Sequence, residues 1–162
     1  MIVTDKNYLK NVKCQDVSLE EATITVAKLE EGLKWSEENG QPGIGLAANQ
    51  MGIAQRVAII RMPDQTINLA NFTIEKFYDE IQFKDEGCLS LPGVVKTTRR
   101  YNEIVVSGNL FEPHSFVATG LLAVAIQHEA DHLNNVLIVD REFVVKKGFV
   151  YASKKRKKKN VK

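Results

Sequence analysis

The sequence predicts an α+β fold, with mostly antiparallel sheets packed around a central buried helix that carries a His-Glu-x-x-His motif. Three observations predict it. Short strand-like runs lie between residues 56 and 119, separated by turn-forming residues. After Gly120, the segment Leu121 to Leu133 is apolar on nearly every side up to Ile126, the pattern of a buried helix. His128, Glu129 and His132 stand in that same segment, where polar groups without partners would be costly.

The elements follow in order. Ser18-Leu19-Glu20-Glu21 reads as a capping box that opens a helix. Leu19, Ala22, Val26, Leu29 and Leu33 then fall at spacings of 3, 4, 3 and 4, one apolar stripe whose expected role is packing. Asn39-Gly40 and Pro42-Gly43 end this helix. Arg56 to Ile60 reads as a buried strand; Asn71 to Ile81, Tyr101 to Ser107 and Ser115 to Thr119 read as further strands. Gly108-Asn109 and Glu112-Pro113 supply turns. Ile138 to Val145 fits either a short strand or the start of a last helix.

At 162 residues the chain is most simply one domain, long enough to bury a core without disulfides. No apolar run approaches the ~20 residues that span a bilayer. The opening Met1-Ile2-Val3-Thr4-Asp5-Lys6 lacks the pattern of a secretory signal. Only two cysteines occur, Cys14 and Cys88, which argues against a disulfide framework and for a reducing, cytoplasmic location. The net charge of +2 is uneven: residues 153–162 carry seven basic groups and no acid, leaving a mildly acidic body. Such a block is commonly disordered and suited to polyanions, or simply solvated.

Three stretches carry chemistry. In Gln127-His128-Glu129-Ala130-Asp131-His132 the two histidines are four apart, one turn of helix on one face. They can grip one metal ion while Glu129 reaches a bound water, although such a pattern also arises by chance. In Glu86-Gly87-Cys88-Leu89-Ser90 the cysteine is a candidate third ligand; a lone cysteine is otherwise a small buried hydrophobe. Three protein ligands and one open position make a catalytic rather than a structural site. In Gly43-Ile44-Gly45-Leu46-Ala47-Ala48-Asn49-Gln50 the glycine spacing is a weak phosphate-loop signal. It fits a bland turn, or a loop that binds an extended substrate while Gln50 donates to an oxyanion.

Together these stretches resemble the three signature motifs of the peptide deformylase family, in the same order and at matching separations, over about residues 1–145. The resemblance implies a catalytic domain over residues 1–152 and a basic, disordered tail over 153–162. It implies a hydrolase that removes the formyl group from N-terminal formyl-methionine of new polypeptides and releases formate. Cys88, His128 and His132 would bind one divalent metal: Fe2+ physiologically, with Zn2+, Ni2+ or Co2+ able to take the same site. Glu129 would be the general base; Gln50 and the Leu89 backbone N–H would stabilise the oxyanion. Ile44, Leu121, Val124 and Ala125 would line the methionine pocket, and the backbone of Ile44 and Gly45 would pair with the peptide. Asp131, Arg100 and Glu86 would stand behind the ligands, orienting an imidazole and influencing the thiolate, with Glu86 pairing Arg100. Implied partners are formyl-methionyl nascent chains and a weak ribosome contact through the tail, with no membrane and a monomeric chain.

The sequence departs from the family pattern in three places. Leu69-Ala70-Asn71-Phe72 stands where many members carry Asn-Pro, and Lys84 where an apolar residue commonly rims the pocket, so that Lys84 either opens or recharges that rim or snorkels outward. From Val144 onward the chain is short, broken by Gly148 and basic, which resembles shortened bacteriophage members. Two rival functions remain. A zinc endopeptidase would need a further ligand downstream of His132, and no suitable histidine is there. A non-catalytic RNA-binding module with a structural metal would need a fourth ligand, for which Cys14 is the spare cysteine.

Overall fold

The computed structural model describes residues 1–143. The described residues form two three-stranded antiparallel sheets and three α-helices. Helices α1 (Lys6–Asn11) and α2 (Leu19–Glu38) come first, followed by β1 (Gly45–Ala47), a 3-10 turn at Ala48–Met51, β2 (Val57–Arg61) and β3 (Thr66–Ala70). The second sheet is β4 (Thr73–Gly87), β5 (Val95–Ser107) and β6 (Phe116–Thr119). Helix α3 (Gly120–Leu133) and a 3-10 turn (Ile138–Arg141) close the described chain. The strands lie in the orders β1-β2-β3 and β4-β5-β6, so β1 is a sheet edge.

The capping box forms as the sequence predicts. Ser18 N donates to Glu21 Oε2 at 2.9 Å, and Glu21 N donates to Ser18 Oγ at 3.2 Å. Ala22, Val26, Leu29 and Leu33 bury the expected stripe against the first sheet. Leu19 departs from it: as the first helical residue it overhangs the packed face and is exposed.

The strand expected over Asn71 to Ile81 begins two residues later, at Thr73. Asn71 takes φ +54, breaking β3 from β4, and its side chain accepts from Val17 N and donates to Val17 O. Asparagine tolerates this left-handed backbone. β4 then runs on to Gly87, and β5 begins at Val95 rather than Tyr101. Both extensions carry charged residues on open faces, so their strand character rests on mutual hydrogen bonding and not on an apolar alternation. The turn after β5 is organised by Asn109, whose side chain accepts from Ala70 N and donates to the carbonyls of Asn68 and Phe111. His114 sits in this turn with its side chain largely exposed.

The main core lies between the sheets and α3. Ala123, Ile126 and Leu133 of α3 pack with Ile60 and Leu69 of the first sheet and with Ile104 and Val106 of the second. Gln127 fixes the helix to β5 by accepting from Tyr101 N at 2.9 Å and donating to Tyr101 O at 2.7 Å. Among the described residues no helix is long and apolar enough to cross a membrane. The segment Ile138 to Val145 begins as the 3-10 turn; its part from residue 144 lies outside the described residues, as does the basic tail 153–162.

Candidate metal centre

Helix α3 presents His128 and His132 one turn apart, and Cys88 reaches them from the tight turn that follows β4, where Leu91 N donates to Cys88 O at 3.0 Å. His132 Nε2 stands 3.1 Å from His128 Nε2 and 3.3 Å from Cys88 Sγ, and the three ligand atoms all lie within 4.8 Å of one another. Around a tetrahedral ion with bonds of about 2.1 Å to nitrogen and 2.3 Å to sulfur, ligand atoms sit roughly 3.4–3.6 Å apart. The two spacings at His132, 3.1 and 3.3 Å, lie slightly inside that range. Two imidazole nitrogens facing each other share at most one proton, whereas a cation between them satisfies both lone pairs. The donor set therefore fits one divalent ion with an open position. Among the described residues this is the one group of three side chains so placed, and Cys14 is not in it.

His128 is held in the right tautomer. Its Nδ1 lies 2.6 Å from Glu86 Oε1. A carboxylate only accepts, so Nδ1 carries the proton and Nε2 presents a lone pair to the cluster. Glu86 is itself clamped: Arg100 NH2 and Nε donate to its two oxygens at 2.6 and 2.9 Å, and Thr98 Oγ1 donates to Oε2. Arg100 NH1 donates to Asp131 Oδ2 at 2.6 Å, and Arg141 grips both Asp131 oxygens at 3.0 and 3.1 Å. Glu86 and Arg100 are 5% and 2% exposed, so their ion pair is buried, not a surface contact.

Ionisation follows from these contacts. Burial would raise the Glu86 carboxyl, but hydrogen bonds from His128 and Arg100 hold it down at about 2. Burial opposes a charge on His128, yet Cys88 and Glu86 raise it to about 10, so a cation bound at Nε2 would displace a proton from that nitrogen. Burial and then the charge of His128 push His132 well below its ordinary range. Burial lifts the Glu129 carboxyl to about 7.

Glu129 is 3% exposed, and among the described residues its Oε2 has no hydrogen-bond partner. It lines a cavity of about 630 Å3 together with Gln50, Cys88, Leu89 and His128. The Gln50 amide is oriented by its neighbours: Oε1 accepts from Ala47 N at 2.9 Å, so Nε2 faces Ser90 Oγ at 3.1 Å and Cys88 Sγ at 3.8 Å. Ile44, Gly45, Leu121, Val124 and Ala125 all line the same cavity. Ile44 and Leu121 are 40% and 46% exposed at its mouth, which leaves an apolar rim.

Of the two readings of Lys84 the outward one holds: Lys84 is exposed and does not line the cavity, and Phe83 does. A register shift between Phe83 and Glu86 adds one residue to β4, with Asp85 at φ +59, so the alternation counted back from Glu86 lands on Phe83. Asp131 hydrogen-bonds Arg100 and Arg141, and of the three residues expected behind the site Glu86 is the one hydrogen-bonded to a candidate ligand ring. Sequence reasoning missed Thr98, Arg141 and Asn49, whose Nδ2 donates to the His132 carbonyl at 2.7 Å. Only Asn49 lies inside a motif that was singled out.

The family model described as polypeptide deformylase matches residues 1–148. The chain belongs to that family. A peptide deformylase of Cellvibrio japonicus is 45% identical over 107 residues, covering 61% of this chain and 62% of that protein. The match thus spans less than two thirds of that relative's length. A crystal structure of a peptide deformylase from Synechococcus elongatus, in complex with actinonin, has a TM-score of 0.76 at 35% identity over 89% of this chain and 78% of that one. The deformylase of Vibrio parahaemolyticus bacteriophage VP16T, also with actinonin, has a TM-score of 0.72 at 31% identity over 85% of this chain and 98% of that one.

Proposed function

We propose that this chain is a metal-dependent hydrolase that removes the formyl group from an N-terminal formyl-methionine and releases formate. One observation carries the reading: Cys88, His128 and His132 converge on a single point at the wall of a cavity that also holds the unpartnered Glu129 carboxylate and the oriented Gln50 amide. Cys88, His128 and His132 would hold a divalent ion, which would supply Lewis acidity and lower the pKa of a water there. Thiolate and imidazole suit Fe2+, with Zn2+, Ni2+ or Co2+ accepted in the same place.

Glu129 takes the proton of the attacking water at its carboxylate and delivers it to the departing amine. Its pKa of about 7 keeps both forms within reach near neutral pH. Gln50 Nε2 and the Leu89 backbone N–H donate to the oxygen on which charge develops. The methionine chain fills the apolar space among Ile44, Leu121, Val124 and Ala125. The peptide backbone adds to the free edge of β1 at Ile44 and Gly45. Glu86, held by Arg100, keeps the His128 ring turned to the ligand position.

Residues 1–152 form the catalytic unit of this reading, and the basic block 153–162 adds a charge-driven ribosome contact. Deleting the block lowers ribosome co-sedimentation at low salt; unchanged co-sedimentation removes that part of the proposal. For the activity itself, protein loaded anaerobically with ferrous iron is assayed for formate release from a formyl-methionyl tripeptide. Turnover of the formyl peptide, without cleavage of internal peptide bonds, is the expected result. A metal-loaded protein that releases no formate overturns the reading, and internal cleavage favours an endopeptidase.

A further inference from the structure

We propose that Arg141 is a positioning residue for the His128 imidazole, acting through Asp131, Arg100 and Glu86. The proposal rests on the reading of Cys88, His128 and His132 as metal ligands.

The contacts form one unbroken line from the surface to the ligand ring. Arg141 Nε and NH2 donate to Asp131 Oδ2 and Oδ1 at 3.1 and 3.0 Å, a two-point grip. Asp131 Oδ2 also accepts from Arg100 NH1 at 2.6 Å. Arg100 Nε and NH2 donate to Glu86, whose Oε1 accepts from His128 Nδ1 at 2.6 Å. Arg100, Asp131 and Glu86 are buried, while the Arg141 side chain is 47% exposed.

Charge explains why the fourth member matters. Glu86 and Asp131 bring two negative charges to the single guanidinium of Arg100. Arg141 makes the set neutral. A buried set left one charge short is strongly disfavoured, and it relaxes by drawing Arg100 toward Asp131 and away from Glu86. Thr98 still anchors Glu86 Oε2, so the Glu86 carboxylate stays in place but loses part of the two-point clamp that fixes the direction of Oε1. His128 then holds its ligand atom less firmly. Arg141 is itself set by its own turn, where Asp140 accepts from Leu137 N at 2.9 Å and from Lys10 Nζ at 2.8 Å.

The rival role is a staple that merely fastens the 3-10 turn to α3. The two roles separate in the cobalt-loaded protein, where both the visible absorption of bound Co2+ and its loss to a chelator are read without any assay of activity. Groups that directly orient a metal ligand change affinity by ~10–100-fold, and Arg141 acts at greater distance. Arg141→Ala is therefore expected to release Co2+ about 3- to 10-fold faster and to alter its spectrum. Arg141→Lys recovers only part of this, because an ammonium cannot make the two-point grip. Arg99→Ala, which removes an exposed arginine outside the line, matches the parent. Asp131→Asn removes the charge that would draw Arg100 from Glu86, so adding it to Arg141→Ala is expected to bring Co2+ release back toward the parent's rate, and a double variant as fast as Arg141→Ala alone counts against this line of contacts. An Arg141→Ala protein with the parent's spectrum and release rate, whatever its melting temperature, overturns the proposal. If Arg141→Ala does not fold, Arg141→Lys decides by the same two readouts, with parent-like values overturning it. A parent that binds no Co2+ at all contradicts the metal reading instead.

Discussion

Gly45 and Glu129 meet with no room for another atom. A β-carbon on Gly45 would stand 2.5 Å from Glu129 Oε1 and 3.0 Å from Ile60 Cδ1. Gly45 lies in a short strand, so it is needed there for space, and its neighbour fixes where the carboxylate can sit. Gly45→Ala must push Glu129 aside. A misplacement near 1 Å costs about 100-fold in rate, so kcat/KM for a formyl-methionyl peptide should fall by about that factor with metal content unchanged. Gly43→Ala is the contrast: its β-carbon would meet the end of the Leu89 side chain, which can turn away, and its effect should be smaller.

Glu86 separates orientation from burial. Glu86→Gln keeps an oxygen for His128 Nδ1 but gives up the charge that binds Arg100. Metal affinity should drop by ~10–100-fold, measured by competition with a chelator. Glu86→Ala in addition leaves Arg100 without its two-point partner in a buried place. Stripping one member from a buried pair costs about 3–5 kcal/mol, to be read by urea unfolding. Equal stability of the two variants would contradict this division.

Asp140 gives a pH-dependent term remote from the metal centre. Burial would raise its carboxyl, but Lys10 and the Leu137 N–H outweigh this and hold it below its ordinary value. A carboxyl with a lowered folded pKa stabilises above its unfolded pKa, near ~3.9, and that stability is lost as pH falls through the folded value. The Lys10–Asp140 pair is solvent-exposed, with 42% and 36% of the two side chains accessible, so screening keeps its worth small. Asp140→Asn should cost roughly 0.2–1 kcal/mol at neutral pH, less in high salt, and nothing in strong acid. A cost that persists unchanged into strong acid would contradict it.

The parts of the site that sit in contiguous motifs were legible in the chain. The four-residue spacing of His128 and His132 is a local property of a helix, and the capping box at Ser18 is equally local. What carried no signal is tertiary. Thr98 and Arg141 reach Glu86 and Asp131 across strands and turns, and nothing in their own neighbourhoods marks them. Phe83 was hidden behind Lys84 because one inserted residue in β4 reverses the two-residue alternation. The length of β4 was hidden because its charged residues face outward on a two-sided ribbon, where polarity reads as loop.

The central claim is that Glu129 moves the proton while Cys88, His128 and His132 hold the metal. Glu129→Gln tests it most directly, with metal stoichiometry and formate release measured on the same anaerobic sample. The account predicts one metal per chain, as in the parent, and release slowed by about 10²–10⁴-fold. A Glu129→Gln protein that holds its metal and releases formate at the parent's rate would contradict it.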